Sequence, residues 1–193
     1  MEKFTKSIRK KSKDKIEEPI IFENEWMKIT NFEDNIIIEQ SATVVCIPYI
    51  IEYNQFIVRH EYIPAFKKLE GDDYYLTCVA GSVEVGETNE QALKRELEEE
   101  AGIVLRDGYQ FEFERPLFSS KASTAQFHYC IVPLTENDYH EISTPTGDGS
   151  YNESISKSVK VDVKYINHVK PSDLITELLI SRLKKYLTGQ QWD

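Results

Sequence analysis

The sequence predicts a mixed α/β sandwich, and three observations carry that prediction. Apolar, strand-like runs stand on both sides of one capped helical segment near Asn89 to Gly102, a second helical pattern closes the chain, and turn-forming residues punctuate the rest. Strands flanking a central helix, with another helix behind them, bury their apolar faces when the sheet packs between the helices. At 193 residues the chain is long enough for one well-cored domain with a small appendage.

The opening "MEKFTKSIRKKSKDKIEEP" carries seven Lys or Arg among its first fifteen residues and no apolar core of the kind a secretory signal needs, so a solvated basic tail is expected. "PIIFENEWMKITNFEDNIIIEQ" then alternates short apolar runs with Glu-Asn and Glu-Asp-Asn turns. It reads as a small β unit, and tail and unit together give residues 1–40 ahead of a main domain at 41–193. A three-stranded sheet rarely stands alone, so packing on the chain's own core or on a second subunit is expected, the latter giving a homodimer.

"ATVVCIPYI" (42–50) and "QFIVRHEY" (55–62) form a strand pair, and "YLTCVAG" (75–81) is a further strand ended by glycine. After the helix, "QFEFER" (110–115) alternates and "QFHYCIVPL" (126–134) is apolar enough to cross a core, so both read as strands. "STPTGDGSYNES" (143–154) lacks periodicity and reads as a long surface loop, and "SVKVDVKYI" resumes a strand. "PSDLITELLISRLKKYLTG" starts with cap chemistry and stops at Gly189, a closing helix.

A net charge of -10 argues against sequence-independent nucleic-acid binding, which relies on many basic side chains. No run approaches the roughly twenty apolar residues that span a bilayer. Cys46, Cys78 and Cys130 have no metal-ligand spacing and read as buried thiols of a reducing compartment. A cytoplasmic protein without membrane or nucleic-acid partners is expected.

The chemistry concentrates in the central helix. Thr88 and Gln91 fit a capping box, and Gly102 suits the left-handed position after the last turn. Leu93, Leu97 and Ala101 form an apolar stripe, while Glu96, Glu99 and Glu100 share a neighbouring face with the small Ala92. Converging carboxylates repel, and the single Arg95 cannot neutralise them all. A hard divalent cation such as Mg²⁺ suits an all-oxygen cluster that leaves positions for water and phosphate.

The turn before the helix sharpens this. From Gly81 there are five residues to Glu87, seven more to "REL", then any residue, "EE", any residue and "GI". Gly81, Glu87, Arg95, Glu96, Leu97, Glu99, Glu100, Gly102 and Ile103 thus resemble in full the box that defines the Nudix hydrolases. The resemblance implies a Nudix α/β/α sandwich with a mixed sheet, binding Mg²⁺ or Mn²⁺ and hydrolysing a nucleoside diphosphate linked to another group.

Carried over residue by residue, Glu96, Glu99 and Glu100 would be metal ligands, with Glu99 at the centre of the catalysis. Arg95 would orient Glu99, Glu87 would act directly or through a water, Gly81 would permit a tight turn, and the Ala80 carbonyl would be available to the cation. The N-terminal β unit, the chain length and "VAGSVEVGE" are similar to the ADP-ribose and nucleoside-diphosphate-sugar branch. There a late-loop acid assists as base or extra ligand, and "YNESI" nominates Glu153. "SSKAST" (119–124) lacks the Pro and Gly of the ADP-ribose pattern, and "VRHEYIPAF" lacks its second arginine. Phe22 and Trp26 are candidates to stack on a base, and Arg59 to meet a phosphate. Two alternatives remain open: a nucleoside triphosphate pyrophosphohydrolase, and a nucleotide-sensing module without turnover.

Overall fold

Apolar residues on consecutive positions of a strand need cover on both sides, and this chain supplies it with two helices. The computed structural model describes residues 19–70, 74–142, 147, 149 and 151–189, apart from the side chains of Glu70 and Glu153. The basic tail therefore lies outside the described residues, as does much of 143–150. Three short strands come first: β1 (Ile20–Glu23), β2 (Lys28–Phe32) and β3 (Asn35–Glu39), paired antiparallel in that order. Glu33 and Asp34, with φ of 48° and 63°, make the β2–β3 turn in the left-handed region that acidic and amide side chains tolerate better than branched ones.

The main sheet follows. β4 (Thr43–Ile50), β5 (Gln55–Glu61), helix α1 (Pro64–Glu70), β6 (Tyr75–Thr77) and β7 (Val79–Ser82) lead into α2 (Asn89–Ala101). After it come β8 (Ile103–Leu105), β9 (Leu117–Phe118), β10 (Gln126–Leu134), β11 (Tyr139–Glu141), α3 (Tyr151–Ile155), β12 (Lys157–Asp162) and α4 (Leu174–Thr188). The sheet order is β12-β5-β4-β10-β9, with β6 beside β5 and β7 beside β4, and β8 pairs separately with β11. The β4–β10 pair is parallel and the other named pairs are antiparallel, which makes the sheet mixed.

Side-chain alternation on β4 divides the core. Val44, Cys46 and Ile50 join Leu93 and Leu97 of α2 on one face. Val45, Ile47 and Tyr49 join Leu179, Ile180 and Leu183 of α4 on the other. All these positions are buried, which is why β4 and β10 read as continuous apolar runs and not as alternating ones. The α/β/α sandwich and the small N-terminal sheet thus stand as the sequence predicts.

Several elements differ. The stretch 75–81 is not one strand: β6 pairs with β5, β7 pairs with β4, and Cys78 between them donates its N–H to Thr176 Oγ1 of α4 at 3.0 Å, leaving the ladder. The segment 110–115 is not a strand. It meets β10 through Glu114 N–H donating to the Tyr129 carbonyl at 2.9 Å, and Pro133 of β10 has no N–H to extend a ladder. Its rings serve instead: Tyr109 meets Phe111 edge-on and Phe111 meets Phe113 at a tilt, with centroids 5.2 and 5.8 Å apart, and all three pack on the α2 side of the core. Part of the 143–154 loop is helical, as α3. Helix α1, which opens on Pro64 in a first-turn position suited to proline, leaves too short an apolar pattern to be read in advance.

Candidate active site

Helix α2 forms where its caps dictate. Thr88 Oγ1 accepts from Gln91 N–H at 3.2 Å, Gln91 Oε1 accepts from Thr88 N–H at 2.8 Å, and Gly102 closes the helix at φ 66°. Leu93 and Leu97 face the sheet, with no exposed surface. The small Ala92, which shares the face of the acids, is not open to solvent. It is fully buried in the same apolar cluster, because its position on the helix belongs to the stripe facing the sheet.

Burying that stripe drives the acidic face against β7. Glu96 lies over Gly81, where a Cβ would fall 1.7 Å from Glu96 Oε1. A side chain at this position would have to displace the Glu96 carboxylate, and no tight turn is involved: Gly81 sits within β7, paired with Val44. Ala80 meets the site through its N–H, which donates to Glu100 Oε2 at 3.0 Å.

Two arginines divide the acids. Arg95 donates from Nε and Nη2 to the two oxygens of Glu87, each at 3.1 Å, and from Nη1 to Glu99 Oε2 at 3.1 Å and to Glu96 Oε1. Its Nη2 also donates to the Ser82 carbonyl at 3.0 Å, anchoring the fork to the end of β7. Hydrogen bonding to Arg95 holds the Glu87 carboxyl below its usual range, aided by the Glu84 N–H, and Arg95 is held above its own ordinary value chiefly by Glu87.

Glu100 meets a different cation. Arg59, expected at the surface to meet a phosphate, is only 3% exposed. Its Nε lies 3.2 Å from Glu100 Oε1, an ion pair whose N–H is not aligned for a hydrogen bond, and its Nη1 donates to the Glu100 main-chain carbonyl at 3.3 Å. Ser158 Oγ donates to that same carbonyl at 2.8 Å. Burial pushes the Glu100 carboxyl well up, with Glu96 adding to the rise and Arg59 opposing it.

Sequence reasoning missed Ser158 and the Glu61–Thr77 pair, in which Thr77 Oγ1 donates to Glu61 Oε2 at 2.7 Å. The signal existed for Glu61: two residues after Arg59 on β5, it points to the same face. Glu153 lies on α3, but its side chain is outside the described residues. Phe22 and Trp26 are exposed on the N-terminal sheet, which meets the body where Ile38 exchanges hydrogen bonds with Ala122 and Thr124. A cavity of about 920 Å³ is lined by Tyr109, Phe113, Ile131, Arg182 and Tyr186 and by none of the box acids.

Among the described residues no three acids, histidines or cysteines converge as a ready-made metal cage. Glu96 Oε1, Glu99 Oε2 and Glu100 Oε1 each lie against a guanidinium. The chemistry of the donors nevertheless fits a hard cation. Glu96, Glu99 and Glu100 are all-oxygen donors on one helix face, and the glycine seat at Gly81 keeps the backbone against them.

The NUDIX domain model matches residues 43–161, from the first residue of β4 into β12. The chain belongs to the NUDIX family. A solved structure described as an ADP compounds hydrolase aligns with 93% of this chain and 98% of its own length, at a TM-score of 0.61 and 16% identity, and so shares the fold. The uncovered share is too small to hold all of residues 1–40, so the likeness reaches into the N-terminal unit. An 8-oxo-dGTP diphosphatase of Haemophilus influenzae is 44% identical over 79 residues, which make up 36% of this chain and 58% of that protein. NUDIX proteins are pyrophosphohydrolases as a family and generally use divalent metal ions.

Proposed function

We propose that this NUDIX protein hydrolyses the pyrophosphate bond of a nucleoside diphosphate linked to a sugar or similar moiety, with Mg²⁺ or Mn²⁺ bound. The observation that carries the reading is the set of box acids on α2, Glu96, Glu99 and Glu100, each facing a guanidinium, with Glu96 seated over Gly81. Glu96, Glu99 and Glu100 are the residues to hold the metal. When bound, it neutralises the phosphate charge and lowers the pKa of an attacking water.

The chain's own residues do the rest. Arg95 keeps Glu87, Glu96 and Glu99 together and fixes them to the end of β7. Glu153 is the loop acid proposed as general base or extra ligand. Phe22 and Trp26, both exposed on a sheet with little cover, are proposed to stack on the nucleotide base or to pack on a second subunit. The division into 1–40 and 41–193, a homodimer and a cytoplasmic location belong to the same reading. No helix among the described residues is long and apolar enough to cross a membrane.

The similarity to an 8-oxo-dGTP diphosphatase favours a second reading, a nucleoside triphosphate pyrophosphohydrolase. A panel of ADP-ribose, ADP-glucose, GDP-mannose, dinucleotides, dGTP and 8-oxo-dGTP, with and without Mg²⁺ or Mn²⁺, separates the two. Turnover of the diphosphate-linked compounds supports the first reading, and turnover confined to triphosphates replaces it. Binding without turnover of any of them points to a sensor.

A further inference from the structure

Glu100 differs from the other acids of the box in the origin of its counter-charge. Glu87, Glu96 and Glu99 meet Arg95, whose side chain is one-quarter exposed and rides on the same helix. Glu100 meets Arg59, which rises from β5 beneath the helix and is buried with it.

Arg59 touches Glu100 at both ends, Nε at the carboxylate and Nη1 at the main-chain carbonyl. A group held at its backbone and at its tip has little rotamer freedom left. The carboxylate is pinned a second time by Ala80 N–H of β7, and the carbonyl a second time by Ser158 Oγ of β12. Three strands thus converge on one residue in the last turn of α2, where carbonyls have no partner within the helix. β12 begins two residues after α3, so the same contacts tie the helix to the segment that carries Glu153.

We propose that Arg59 is a positioning residue of the cation site: from β5 it holds the Glu100 carboxylate in one orientation and couples the end of α2 to the strand following α3. The inference rests on the metal-dependent reading above. It assigns Arg59 to the protein side of the site and not to a substrate phosphate. The role calls for a guanidinium, whose planar fork can address carboxylate and carbonyl together, whereas the single ammonium of lysine can serve only one of them well.

The test is Mn²⁺ binding to substrate-free protein, followed by electron paramagnetic resonance, with thermal midpoints recorded in parallel for wild type, Arg59→Met, Arg59→Lys and Ser158→Ala. Loss of a partner that orients a ligand typically costs about 10–100-fold in metal affinity. Arg59→Met is expected in that range, Arg59→Lys between it and wild type, and Ser158→Ala close to wild type, since the carboxylate keeps its cation.

Wild-type affinity in both Arg59 variants overturns the proposal while leaving the metal reading intact. So does a lowered thermal midpoint with unchanged Mn²⁺ affinity, which makes Arg59 a structural brace alone. Failure of the wild type to take up Mn²⁺ overturns both. If Arg59→Met does not fold, Arg59→Lys decides: full wild-type affinity overturns the assignment, and a several-fold loss supports it.

Discussion

The seven-stranded sheet and the three-stranded N-terminal sheet are made of similar residues, yet they bury them to opposite degrees. β4 is closed on one face by α2 and on the other by α4, and Val44 through Ile50 are buried without a gap. β1 presents Ile20, Ile21 and Phe22 about half exposed, and Trp26 and Ile36 are exposed beside them. Apolar side chains in both places read alike in sequence, but only a facing layer makes them a core. The main sheet is complete within one chain. Among the described residues no helix lies over the N-terminal sheet, and its apolar surface stays open.

The comparison breaks first on stability. Leu93→Ala, beneath the acids, is expected to cost about 2–5 kcal/mol in denaturant unfolding, while Ile36→Ala in dilute protein should stay within about 0.5 kcal/mol. A comparable loss at Ile36 shows that the N-terminal sheet is covered within the monomer. A loss that appears only at high protein concentration shows a subunit interface.

Function sharpens the contrast. Glu99→Gln keeps shape and removes charge, so turnover should fall by roughly 100-fold with the midpoint of unfolding nearly unchanged, if the acid face serves a metal. A more stable variant with activity intact marks that face as ordinary solvated surface. Gly81→Ala forces a methyl group into the Glu96 carboxylate, so a stability loss of about 1–3 kcal/mol together with reduced Mn²⁺ affinity is expected. Wild-type behaviour there shows that Glu96 readily moves aside.

The smallest effect is a pH dependence. The folded pKa of Glu87 is lowered by Arg95, so its contribution is present above the ordinary carboxylate value and lost as the pH falls through the depressed one. The stability advantage of metal-free wild type over Glu87→Gln should therefore shrink in acid below the usual carboxylate range. An advantage that stays constant into strong acid removes the ion pair as its source.

Legibility followed the range of the interactions. The capping box at Thr88, the stop at Gly102, β10 and α4 were readable because each is set by neighbours in sequence. The break at Cys78 was not, since it depends on a hydroxyl ninety-eight residues away on α4. Nor was the irregular course of 110–115, which meets β10 through Glu114 and Tyr129 without extending a ladder. The box gave the pairing of Arg95 with Glu99, whereas the helix face shared by Ala92 and the acids did not show that packing buries Ala92 in the core.

By itself the sequence determined the family, the helix that carries the acids and the spacing that puts Glu96, Glu99 and Glu100 on one face, because a helix repeats at a fixed angle and its caps are local. Only the tertiary structure decided that Gly81 is a seat for Glu96, and that Arg59 lies buried against Glu100 and not at the surface. Those outcomes depend on which strand lies beneath the helix and how closely it approaches, and such distances are set by the packing of the whole sheet.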